Sequence, residues 1–224
     1  MSADNPLEHA RAAYHQAVYA GDAGGLADAE RGLDALEAAT AVARGQMRHA
    51  RFLTERADGS SPAEDPAELP LFERAAELYR TLGDGRGEGE ALFWIGCLHQ
   101  VIRRDNETAV PVLERSARLA ARAGDKATEA EALRHLGIAA HTAGRLDEAR
   151  ERLQESTRLR REIGARAGMA SNMVGLAYIA AAEDRREDAA TILDEAHALA
   201  RSQQAHAIVR QIEQARTDIQ PLRP

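Results

Sequence analysis

The sequence predicts an all-α protein, an α-solenoid of about five antiparallel helix pairs closed by a C-terminal capping helix. Three observations predict it. Small and apolar residues recur at a step of forty: Leu113, Leu153 and Leu193; Leu119, Leu159 and Leu199; Ala109, Ala149 and Ala189. Self-similarity at a period of about 20 to 50 residues marks a stack of repeating units. The breaks between periodic stretches fall on Gly, Asp, Asn and Pro, and Gly83, Gly124 and Gly164 keep nearly the same rhythm. Aromatic residues make up only 4% of a chain that is 44% hydrophobic, so the core is built from Ala, Leu, Ile and Val. Small side chains of that kind let helix axes approach closely.

Between the breaks, apolar residues return at helical spacing. They divide the chain into helices over 6–20, 25–40, 41–57, 68–82, 87–103, 107–123, 127–143, 147–163, 167–183 and 187–202. Three of these open on acidic residues, namely Glu107, Asp147 with Glu148, and Glu187 with Asp188. Carboxylates are favourable there because the helix dipole is positive at its N-terminus. The helices before Gly83, Gly124 and Gly164 stop where a left-handed residue is cheapest for glycine. Residues 58–70, DGSSPAEDPAELP, carry three prolines and no apolar period. They predict a flexible loop, either a simple insertion or a lid over a bound peptide. Helical pairs continue on both sides of it, so residues 1–224 read as a single domain. No helix pair is thick enough to bury its own apolar face, so each must lean on the next. The stretch 205–219, with Ile208, Val209, Ile212 and Ile219, either caps the last pair or joins a second copy in a homodimer.

Composition narrows the function classes. The net charge is −7 and the pI about 5.7, with Arg interspersed among acidic residues. A protein that grips phosphates carries a basic patch or stripe, so nucleic acid is not the expected partner. Cys97 is the only cysteine, which rules out an intramolecular disulfide and points to the cytoplasm. The first residues show no signal peptide, and no apolar run is long enough to span a membrane.

Leu136-Gly137, Ala140, Gly144 and Ala149 form a small-residue skeleton that resembles the tetratricopeptide repeat. Leu176-Ala177, Ala180, Asp184 and Ala189 repeat it with Ala and Asp in place of the glycines, and Ile95-Gly96, His99 and Ala109 follow it more loosely. The step of forty exceeds the usual repeat of about 34 residues. It resembles the long-repeat arrays of bacterial transcriptional regulators and kinesin light chains. The resemblance covers residues 86–202 well and the part before 70 weakly. It implies a right-handed superhelix whose first helices line a concave groove that binds a protein or peptide. The nucleotide-binding module of the large regulators has no counterpart here, since no phosphate-loop motif is present and Lys126 is followed by Ala.

Carried over position by position, the implied groove comprises Arg48, then Glu90, Phe93, Trp94, Cys97 and Gln100, then Glu131, Arg134, His135, Ile138 and His141. Ser171, Val174, Gly175 and Tyr178 complete it. Trp94, Phe93 and Tyr178 would supply apolar anchors, of the type that dominates recognition hot spots. Arg48, Arg134 and His135 would orient an acidic or C-terminal group. Trp94 has a second reading as filler between helices, and each Arg as the partner of a neighbouring Glu. Glu131 and His135, four residues apart, could form an acid–base pair on one helix face, or a plain surface pair. No nucleophile or metal-ligand spacing accompanies them. Cys97 reads as a small buried residue, and Gly83 to Gly89 as a turn between repeats. The expected function is therefore non-catalytic peptide or protein binding without cofactor or metal. A small-molecule sensor or accessory factor in a bacterial pathway is the alternative, and an enzyme built on Glu131 and His135 comes third.

Overall fold

A computed structural model describes residues 5–219, which are helical except for short turns and one longer loop. The helices are α1 (Pro6–His15), α2 (Leu26–Ala57), α3 (Glu68–Leu82), α4 (Gly85–Val101), α5 (Asn106–Ala123), α6 (Lys126–Thr142), α7 (Leu146–Glu162), α8 (Arg166–Ala182), α9 (Arg186–Ser202) and α10 (His206–Ile219). Among the described residues there is no strand, and no helix is long and apolar enough to cross a membrane. Two compact units follow one another, the first reaching to Asp105 and the second beginning at Asn106.

In the N-terminal unit, α1 continues into a π-helical turn, Gln16–Ala20, that Gly21 ends. α1 packs on α2, α2 on α3 and α3 on α4. The sequence predicts two helices over 25–40 and 41–57; the structure corrects this to the single 32-residue α2. No Gly or Pro interrupts the chain between Leu36 and Arg44, so nothing stops the hydrogen-bond ladder there. Gly45 lies inside α2 as a contact surface, because a Cβ at that position would overlap the Phe72 ring. Phe72 is fully buried. The loop from Asp58 to Ala67 is tied down twice. Arg48 pairs with Asp65, and Arg103 grips Glu64 through Nε and Nη2 at 2.8 and 2.6 Å.

In the C-terminal unit each helix packs on the next, from α5 to α10. The ladder that the sequence displays is its core: Leu113, Leu153 and Leu193 are at most 2% exposed, and Ala109, Ala149 and Ala189 are fully buried. Gly124 and Gly164 end α5 and α7 at φ +70° and +71°, where any side chain would be strained. Asp125 caps α6 by accepting the Thr128 N–H. A buried polar network joins α6, α7 and α8. Asn172 Nδ2 donates to Ser156 Oγ at 2.9 Å and Thr157 Oγ1 at 3.0 Å, and Ser156 Oγ donates to the Ala130 carbonyl at 2.6 Å. These bonds offset the burial of the amide N–H groups and the serine hydroxyl, while Asn172 Oδ1 is buried without a hydrogen-bond partner. α10 lays Ile212 and Ala215, both fully buried, on α8 and α9. Its apolar face is thus used within this unit, as a cap.

Candidate binding cavity

The C-terminal unit forms a cavity of about 220 Å³, partly open to solvent, between α6, α7, α8 and α10. Its floor is apolar, formed by Gly137, Ile138, Leu153, Val174 and Gly175. Polar groups stand around it: Arg134 and His141 from α6, Ser171 and Tyr178 from α8, and Gln211 from α10. The helical period explains the convergence, because Arg134, Ile138 and His141 share one face of α6, as Ser171, Val174, Gly175 and Tyr178 share one face of α8. Two glycines shape the floor. A Cβ on Gly175 would stand 2.8 Å from Leu153 Cδ1, and one on Gly137 3.0 Å from Leu153 Cγ. Leu153 therefore reaches the cavity through the space that two missing side chains leave.

At one edge the Tyr178 hydroxyl donates to Asp218 Oδ2 at 2.7 Å, and Gln214 Nε2 donates to Asp218 Oδ1 at 2.7 Å. This bond links α8 to the end of α10. Burial, followed by the bond to Asp218, pushes the Tyr178 phenol above the usual range. The same bond, with that from Gln214, holds the Asp218 carboxyl below its usual range. A raised phenol stabilises the fold fully below the unfolded value near 10, and that contribution fades as pH climbs through the folded value. A depressed carboxyl works in the opposite sense: its contribution is present above the unfolded value near 4 and fades as pH falls through the folded one. Burial also raises Tyr79. In an alkaline absorbance titration, two of the four tyrosines should therefore ionise late, and Tyr178→Phe should remove one of those late steps.

Arg134, Ile138, His141 and Tyr178 thus meet at one cavity, together with Ser171, Val174 and Gly175. The neighbouring Glu131 reaches Arg160 on α7, at 2.7 Å, and His135 is buried on α6. Burial pulls the Arg160 guanidinium down, while Glu131 holds it up. The remaining predicted residues belong to the N-terminal unit. Arg48 is paired with Asp65, and Glu90 accepts from Gln46 Nε2 at 3.3 Å. Phe93 and Cys97 are buried. Trp94 is half-buried in an aromatic cluster, stacked on Phe72 with centroids 5.8 Å apart and edge-on to Phe93 at 5.0 Å. Sequence reasoning missed Gly137, Leu153 and Gln211 as lining residues, although Gly137 stands in the repeat skeleton. Leu153 carries a signal, its place in the forty-residue ladder; Gln211 carries none.

The family model of the tetratricopeptide repeat matches residues 98–162, which run from the end of α4 through α7. Comparison with curated proteins finds no match.

Proposed function

We propose, from the tetratricopeptide-type repeats that the chain carries, that it binds a protein or peptide segment without catalysing a reaction, and that the cavity takes one apolar side chain of that segment. Tetratricopeptide repeats generally mediate protein–protein interaction. One observation carries the finer reading: an apolar floor between helices, open on one side, with Arg134, His141 and Tyr178 among its lining residues. Apolar floor and few convergent polar groups are the anatomy of a binding site. Its volume, about 220 Å³, exceeds the roughly 150 Å³ that accepts a benzene. It falls below the roughly 300–1,000 Å³ of small-molecule pockets. That size favours a single side chain over a whole sensor ligand. Arg134 would orient an acidic side chain or a C-terminal carboxylate beside the inserted group. The reading takes the protein to be cytoplasmic and its binding unit to be one chain, with α10 as cap.

The test uses peptides selected on the purified protein from a display library with free C-termini. Selected peptides are expected to share a bulky apolar residue near a carboxylate. Ile138→Glu should abolish binding measured by calorimetry, and Arg134→Ala should weaken it by about tenfold or more. Saturable binding that survives Ile138→Glu would place the peptide elsewhere and end this reading. The small-effector alternative would show instead as a metabolite that raises Tm in the wild type but not in Ile138→Glu.

A further inference from the structure

The N-terminal unit holds a second constellation, remote in sequence from the cavity residues. His49 of α2 stands between Glu68 of α3 and Cys97 of α4. Its Nδ1 is 2.8 Å from Glu68 Oε1, and its Nε2 is 3.7 Å from Cys97 Sγ. All three are buried, with exposures of 3% for His49, 0% for Glu68 and 4% for Cys97. With Glu68 as the carboxylate, the Nδ1–H donates to it, and this sets the tautomer. The lone pair on Nε2 then faces the thiol. This is the order of groups that activates a nucleophile: a thiol, a base within reach of it, and a third group that orients the base.

Two further features separate this arrangement from ordinary packing. Burying an ionisable pair is seldom worth more than burying apolar residues of the same size. Glu68 Oε2 is also buried without a hydrogen-bond partner, which adds to the cost of the resting state. Proton transfer from Cys97 to Nε2 changes that account. It makes a thiolate and an imidazolium, and the carboxylate becomes the counter-charge to the imidazolium. The three donors do not suit a metal, because the thiol and the carboxylate lie on opposite sides of one ring, and no metal-holding group occurs among the described residues.

We propose that Cys97 is a nucleophilic thiol that reacts with hydrogen peroxide, with His49 as its base and Glu68 as the residue that positions His49. The sulfur electron pair attacks one peroxide oxygen, an S–O bond forms and the O–O bond breaks. Sulfur is oxidised to the sulfenic acid. The departing oxygen is reduced and leaves as hydroxide, which takes the proton held on His49 and becomes water. Burial selects the reagent: a water-sized oxidant enters by small fluctuations, whereas a bulky electrophile does not.

The chain has one cysteine, so one thiol reports the whole reaction. Native protein is treated with hydrogen peroxide, quenched with catalase and unfolded for thiol titration, which methionine oxidation does not disturb. The same chain, unfolded in denaturant at the same pH, gives the reference rate. Native Cys97 is expected to be lost at least about tenfold faster than the reference. His49→Gln, with its helical spectrum intact, is expected to fall to the reference rate or below. A native rate no greater than the unfolded one overturns the proposal without any variant. So does a folded His49→Gln protein that reacts as fast as the wild type.

Discussion

Phe72→Ala is expected to destabilise the N-terminal unit by about 3–5 kcal/mol, the range for a buried aromatic side chain. Phe72 is fully buried; it fills the notch that Gly45 leaves in α2 and stacks on Trp94. Its loss opens a cavity between Gly45 and Trp94. Trp94 is the only tryptophan, so its fluorescence during urea unfolding reads this unit directly. The partner variant is Gly45→Ala, which adds a methyl where the ring already stands and should cost about 1–3 kcal/mol. Combined, the two changes should cost less than their sum, because the new methyl enters the space that the ring vacated. Strict additivity would show that the glycine and the ring are not matched.

Leu153→Ala is expected to cost about 2–5 kcal/mol and to enlarge the candidate cavity. Leu153 differs from Leu113 and Leu193, its equivalents one step away, in lining that cavity between two glycines. The three Leu→Ala variants should therefore be similarly destabilised, while Leu153→Ala alone gains space open to an apolar guest. Benzene should raise the Tm of Leu153→Ala by more than that of the wild type or of Leu193→Ala, both of which keep the native cavity. A Leu153→Ala protein as stable as the wild type would mean that the space closes by collapse.

Much of the C-terminal unit was legible in the sequence, for a physical reason. Its repeats obey one period, and residues at equal phase on α6 and α8 must face the same way. Arg134, Ile138, His141 and Tyr178 could thus be grouped without coordinates. The part of the N-terminal unit before Gly83 has no such period. The pairing of His49 with Glu68 crosses the Pro-rich loop, and its distance from Cys97 depends on how α2, α3 and α4 cross, which spacing alone does not encode. The division of α2 at residue 40 had the same origin: the expectation of uniform repeats imposed a break where the backbone had no cause to stop. Glu131 and His135 do share a helix face, but the pattern on α6 gave no hint that Arg160 of α7 would take the carboxylate.

The hydrogen bonds of Asn172 have a consequence for how the chain is made. Hairpins built on one skeleton and emerging in succession from a ribosome can dock on the wrong sibling, a characteristic failure of repeat arrays. Leucine on alanine cannot tell one sibling from another. The position forty residues before Asn172 is Ala132, so the amide has no twin there. A hairpin seated one step out of order would offer Ser116 in place of Ser156 but Ala117 in place of Thr157, so the amide would lose one of its two hydroxyl partners and the wrong seating would be the weaker one.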